Sequence, residues 1–116
     1  LMQMYLNGGE YAGKRYIEEK TLEEFTSYQY RLKDNRRGIG FDKPVIDDTD
    51  GPTCDQASPS SYGHSGFTAT IVWADPEHEL IYVFLPNRIY PSAENFLLVK
   101  DNIRTEIQDV IYKAIE

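Results

Sequence analysis

Tyr62-Gly63-His64-Ser65-Gly66-Phe67-Thr68 runs almost directly into Thr70-Ile71-Val72-Trp73-Ala74. Leu80-Ile81-Tyr82-Val83-Phe84-Leu85-Pro86 follows after Asp75-Pro76-Glu77-His78. The three runs are rich in β-branched and aromatic residues, and the residues between the last two are turn formers. The pattern predicts strands over 62–68, 70–74 and 80–86, the last two paired as an antiparallel hairpin. Ile71 and Trp73 project to one face of that sheet, Thr70 and Val72 to the other. Both faces carry apolar groups, so both are expected to pack against something.

Downstream, Ile103, Ile107, Val110, Ile111, Ala114 and Ile115 recur at three- and four-residue steps over 100–115, with Arg104, Glu106, Asp109 and Lys113 on the other side. This amphipathic helix is expected to lay its apolar stripe on the hairpin sheet. Upstream, Leu1-Met2-Gln3-Met4-Tyr5-Leu6 reads as the end of a helix already under way, closed by Asn7-Gly8-Gly9. That start leads to the expectation that the chain is the C-terminal part of a longer domain. A turn at Ala12-Gly13-Lys14 precedes a second helix over 18–25, and Gly38-Ile39-Gly40-Phe41 reads as a short strand. Residues 42–61 are rich in Asp, Pro, Ser, Thr and Gly and are expected to form a long surface loop. The fold class is α+β: one unit over 1–116, an antiparallel sheet packed by a C-terminal helix.

Composition narrows the function. The net charge of −7 over 116 residues argues against nucleic acid as a partner, since nothing neutralises a phosphate backbone. Lys14-Arg15 and Arg36-Arg37 read as solvated loop charges. The apolar run 80–85 is far short of the ~20 residues that span a bilayer, and residues 1–6 are expected to be a helix end rather than a signal peptide. Cys54 is the single cysteine, so no internal disulfide forms, and no His nearby in sequence activates it. His78 reads as a solvated turn residue. Asp47, Asp48 and Asp50 lack the spacing of a calcium loop, so neither a metal nor a cofactor is expected.

Chemistry is expected at His64, Ser65, Gly66 and Phe67. His64 and Gly66 would face one side of the strand and Ser65 the other. Gly66 leaves room for a ligand against the backbone, and the Phe67 N–H could then meet a developing oxyanion. On these residues alone the segment reads more readily as an ordinary strand with an incidental His and Gly beside a turn, since an isolated His-Ser-Gly is a weak signal.

Gly63-His64-Ser65-Gly66-Phe67-Thr68, with Ile71-Val72-Trp73-Ala74-Asp75-Pro76-Glu77, resembles the last motif block of the β-lactamase-like serine hydrolases. These comprise penicillin-binding proteins, D-alanyl-D-alanine peptidases, class C β-lactamases and related esterases. Val83-Phe84-Leu85-Pro86-Asn87-Arg88 resembles their final strand, Arg37-Gly38-Ile39-Gly40-Phe41 an upstream strand, and Met4-Tyr5-Leu6-Asn7-Gly8-Gly9 an earlier helix end. The resemblance implies a partial β-lactamase/transpeptidase-like fold in which His64-Ser65-Gly66 is the third motif, with His in the place of the usual Lys. It implies that His64 tunes the proton network, Ser65 bonds the substrate and Phe67 supplies an oxyanion-hole N–H. Ala69 departs from the Gly expected at the strand junction, which suggests a looser turn.

The family nucleophile, Ser-x-x-Lys, is absent: no Ser of this chain has Lys three residues on. Tyr5-Leu6-Asn7 matches the letters of the second motif but falls on a helix end and reads as a decoy. The chain alone is therefore expected to be inactive, as the C-terminal segment of a hydrolase acting on a small amide or ester. The alternative is a non-catalytic binding domain that keeps the end of this fold. Expected partners are the N-terminal part of the same domain and a second copy of the chain. The resemblance favours the periplasm or cell surface.

Overall fold

Three antiparallel strands carry the architecture: β3 (Tyr62–Ser65), β4 (Ile71–Asp75) and β5 (Leu80–Phe84), in the order β3-β4-β5. The computed structural model describes residues 1–30, 35–45 and 51–115; Asp47, Asp48 and Asp50 lie outside them. Ahead of the sheet come α1 (Met2–Leu6), a small hairpin of β1 (Glu10–Tyr11) and β2 (Lys14–Arg15), and α2 (Glu19–Thr26). After it come α3 (Leu97–Lys100) and α4 (Ile103–Ile115). No helix among the described residues is long and apolar enough to cross a membrane.

The expected hairpin forms in the register Ile71↔Phe84, Trp73↔Tyr82, Asp75↔Leu80. Strand β3 joins its other side with Gly63 opposite Trp73 and His64 opposite Val72. Ile71, Trp73 and Tyr82 form one core cluster, with Phe84 and Ile111 against it. Gly63 is there because its cross-strand neighbour is an indole. A Cβ on it would sit 2.2 Å from the Val72 carbonyl and 2.4 Å from the Trp73 ring. The opposite face is covered only at one end. There α1 contacts β4 and Tyr5, Phe41 and Tyr62 pack edge-to-face, while Val83, on the row of His64 and Val72, is 52% exposed.

Several expectations need correction. Strand β3 ends at Ser65 and β5 at Phe84, because 66–69 is a turn closed by Ala69 N–H onto Gly66 O at 2.9 Å. Ala69 adopts φ 71° and is buried, so the turn is tight despite lacking Gly. Residues 38–41 are a turn rather than a strand: Gly38 N–H donates to Phe41 O, and Asp42 bridges Gly63. Gly38 does permit close approach, since its Cβ would lie 2.4 Å from the Phe25 carbonyl. The hairpin around Ala12-Gly13 was not foreseen as strands; both residues take positive φ, as a two-residue connection requires.

Of the stretch expected to be a surface loop, about half of the described residues are buried. Asp42, Lys43, Thr53, Cys54, Ala57, Ser58 and Ser61 are all buried. The basic pairs are not idle either. Arg37 and Arg36 face the buried carboxylate of Asp42 at 3.1 and 3.9 Å, and Arg15 donates to the Gly8 and Ile17 carbonyls.

The terminal helix breaks at Asn102, which has φ 50°, so Lys100 belongs to α3. Its orientation also differs from expectation. Gln108 and Tyr112 are buried, whereas Ile107, Val110 and Ile115 are 37%, 65% and 50% exposed. The cause is polar: Gln108 Oε1 accepts from Cys54 N–H at 3.1 Å and Tyr112 OH donates to Asp75 at 2.6 Å. Leaving the Cys54 N–H and the Asp75 carboxylate without these partners would cost more than exposing methyls, so the helix turns Gln108 and Tyr112 inward even though Gln108 Nε2 finds no partner among the described residues.

Gly63→Ala is predicted to destabilise the protein by about 2 kcal/mol or more, as expected for overpacking against backbone. The midpoint of denaturant unfolding measures this; an unchanged midpoint would contradict the packing of Trp73 on β3.

Candidate active site

The four predicted residues stand together where β3 enters the 66–69 turn. His64 is exposed on the open row with Val72 and Val83, and Ser65 is half-buried opposite Ile71. Among the described residues neither side chain makes a hydrogen bond or ion pair, so both keep their full capacity for a ligand. Gly66 lies past the strand end, and its missing side chain does not leave open space, since a Cβ would meet Thr70 Oγ1 at 2.6 Å. A side chain at this position would have to displace the Thr70 hydroxyl.

The Phe67 N–H follows from peptide geometry. Gly66 O is held by Ala69 N–H, and in the trans Gly66–Phe67 peptide the N–H points opposite to that carbonyl, out of the turn. It donates no hydrogen bond among the described residues. Tyr5-Leu6-Asn7 offers no comparable group. The Tyr5 ring packs on Phe41 at 5.6 Å, and Asn7 Oδ1 accepts from Gln3 Nε2 at 3.0 Å.

A second polar constellation, unforeseen in the sequence, surrounds Asp75. Its carboxylate is 1% exposed and accepts from Ser58 Oγ (2.6 Å), Ser58 N–H (2.8 Å), Tyr112 OH (2.6 Å) and Glu77 N–H (3.1 Å). His78 stays exposed in its turn, as expected, but its Nδ1 lies 3.1 Å from the Asp75 carboxylate and its ring meets Tyr112 edge-on. Ser, His and Asp meet here without forming a relay: Ser58 and His78 each bind Asp75 and not one another, and Ser58 is buried. Burial raises the Asp75 pKa, but the bonds from Ser58, Tyr112 and His78 outweigh it and hold the carboxyl below its usual range. Burial, then the bond to Asp75, push the Tyr112 hydroxyl up. The one sequence signal was Asp two residues before Glu77, the spacing of an Asx turn.

Elsewhere, burial raises the Cys54 thiol pKa, which suits an inert side chain. A polar cavity of about 350 Å³ between residues 51–55 and α4, lined in part by Asp55, Glu106 and Asp109, includes none of His64–Phe67. Among the described residues no cluster of three His, Cys, Asp or Glu side chains could hold a metal ion.

The family model described as Beta-lactamase matches residues 2–100. The chain belongs to the Beta-lactamase family. It is 34% identical over 98 residues to a protein of Salmonella enteritidis PT4 named "Putative D-alanyl-D-alanine carboxypeptidase", covering 82% of this chain and 22% of that protein. A relative of the same name in Salmonella gallinarum is 34% identical over 96 residues with the same coverage. The chain thus spans 22% of the length of these curated relatives. A crystal structure of a beta-lactamase from Mycobacterium bovis superposes with a TM-score of 0.67 over 85% of this chain and 38% of that one, at 19% identity. The resemblance read from the motifs is therefore correct, and the structure is part of that fold. Membership places the chain in the serine hydrolase superfamily.

Because the folded-state pKa of Asp75 is depressed, its network stabilises the protein above the ordinary carboxylate range and weakens as pH falls through the folded value. Asp75→Asn is predicted to cost about 3 kcal/mol at pH 7, where a charged acceptor of several bonds is lost, and to flatten the acid limb of stability. Thermal melts from pH 7 to 3 check this. Coincident curves for the two proteins would remove Asp75 from its central role.

Proposed function

We propose that this chain supplies the late strands, the terminal helix and the His64-Ser65-Gly66 motif of a serine hydrolase that transfers an acyl group from an amide or ester to water. A serine from the remainder of the enzyme attacks the carbonyl carbon. A C–O bond forms, the amine or alcohol leaves with a proton, and water then releases the acid. The observation that carries this reading is the outward Phe67 N–H beside the His64 and Ser65 side chains, all three without a hydrogen-bond partner among the described residues. A donor already aimed where negative charge develops is the largest single contribution in acyl transfer. The name of the Salmonella relatives makes a peptide ending in D-alanyl-D-alanine the first substrate to test, and a periplasmic or cell-surface setting belongs to the same proposal.

Phe67→Pro removes that N–H at a turn position that accepts proline, whereas Phe67→Ala keeps it and loses only the ring. In the full-length enzyme Phe67→Pro is expected to lower kcat about 10²-fold, and Phe67→Ala far less. His64→Ala is expected to cost a similar ~10²-fold with little change in melting temperature. Turnover of p-nitrophenyl butyrate and of a D-Ala-D-Ala peptide supplies the numbers. Equal rates in all variants would leave the non-catalytic binding reading in place.

Alone in solution, the 116-residue chain is proposed to pair with a second copy. Strand β5 has no further strand on its outer edge among the described residues, and Leu97 and Val110 are each 65% exposed. Light scattering after size exclusion is expected to give twice 13.4 kDa at micromolar concentration; a sharp monomer peak would refute the pairing.

A further inference from the structure

The tip of the 66–69 turn is held by one residue from the far side of the sheet. Phe67 O accepts from Arg88 Nε at 2.9 Å, and Thr68 O accepts from the Arg88 backbone N–H at 3.3 Å. Arg88 follows the end of β5 and is 9% exposed. Its Nη1 donates to Ala93 O at 2.9 Å and Asn95 O at 3.2 Å. The guanidinium carbon lies 4.6 Å from the Phe67 ring centroid and 4.9 Å from that of Phe96, so the cation sits close to both rings. Among the described residues no carboxylate pairs with it. Carbonyl oxygens and ring faces offset the desolvation of this charge. An apolar side chain of similar length would fill the space without burying a cation. What the guanidinium adds is direction: a rigid fork whose Nε fixes one carbonyl while Nη1 anchors it to the 93–95 segment.

We propose that Arg88 is a positioning residue for acyl transfer, holding Phe67 so that its N–H keeps its aim. The proposal rests on the reading that this N–H meets the oxyanion. Upstream of Phe67 stands Gly66, whose backbone rotates freely for want of a Cβ. The bond from Ala69 N–H restrains that side of the turn through the Gly66 carbonyl. Arg88 restrains the other side through the Phe67 carbonyl and ring. Loss of either restraint lets the turn tip move, and a displacement of ~1 Å at a catalytic donor costs ~10²-fold in rate.

The test uses the full-length enzyme with Arg88→Lys, which keeps the charge but not the fork, and Arg88→Met, which keeps the bulk alone. Turnover of p-nitrophenyl butyrate is expressed per active site titrated with a fluorophosphonate, so unfolded protein is divided out. Both variants are expected to lose roughly 10- to 10²-fold in kcat with KM nearly unchanged. Affinity for a boronic acid that mimics the tetrahedral intermediate should fall in step with kcat. A purely structural Arg88 would lower the melting temperature and the number of titrated sites, and would leave kcat per site intact; that result overturns the proposal. Should Arg88→Met give no titratable sites, Arg88→Lys decides. Phe67→Pro separates the two ideas. If it slows turnover while the Arg88 variants do not, the oxyanion reading stands and the positioning role falls. If Phe67→Pro is silent, both fall together.

Discussion

A buried carboxylate organises this chain. Asp75 ends β4 inside the protein, where an ionised group without partners would be prohibitively costly. Its two oxygens collect the Ser58 hydroxyl and amide from the irregular segment, the Tyr112 hydroxyl from α4 and the Glu77 amide from the following turn. Two stretches distant in sequence, and the turn that follows directly, are thereby set against the end of one strand. The inward face of α4 and the burial of Ser58 both follow from satisfying this group, with Cys54 N–H and Gln108 providing a second, parallel tie.

The candidate site sits at the opposite end of the same strand pair. His64 lies two residues from Tyr62, whose ring closes the covered end of the outer sheet face, and that cover stops before the row of His64, Val72 and Val83. The sheet therefore divides into a sealed end built on Asp75 and an open end that carries the motif. Rigid anchoring at one end and an accessible edge at the other is what a site needs when small displacements matter.

How much of this was legible follows from the kind of signal each residue gives. The β4–β5 hairpin was readable because alternation and turn formers are local properties. So was the family, because the blocks that resemble it stand in order along most of the chain. The orientation of α4 was not: periodicity reports an apolar stripe, but only the three-dimensional neighbours Cys54 and Asp75 decide that Gln108 and Tyr112 face inward. The same holds for Arg37 and Asp42, five residues apart across a turn that the glycines suggested was a strand. Polar pairing made in space leaves no period in a sequence. Arg88 leaves no such trace either, since its contacts with Phe67 and Phe96 are made across the fold.

Trp73 is the only tryptophan of the chain and is 1% exposed, with Gly63 beneath its ring and its Nε1–H bonded to Ser61 Oγ at 2.9 Å. It therefore touches the strand of His64 one residue away from the imidazole, from the opposite face. The protein carries its own optical reporter. Emission from a dry indole on β4 is sensitive to any loosening of β3, so the integrity of the motif strand can be followed by intrinsic fluorescence without labelling the site.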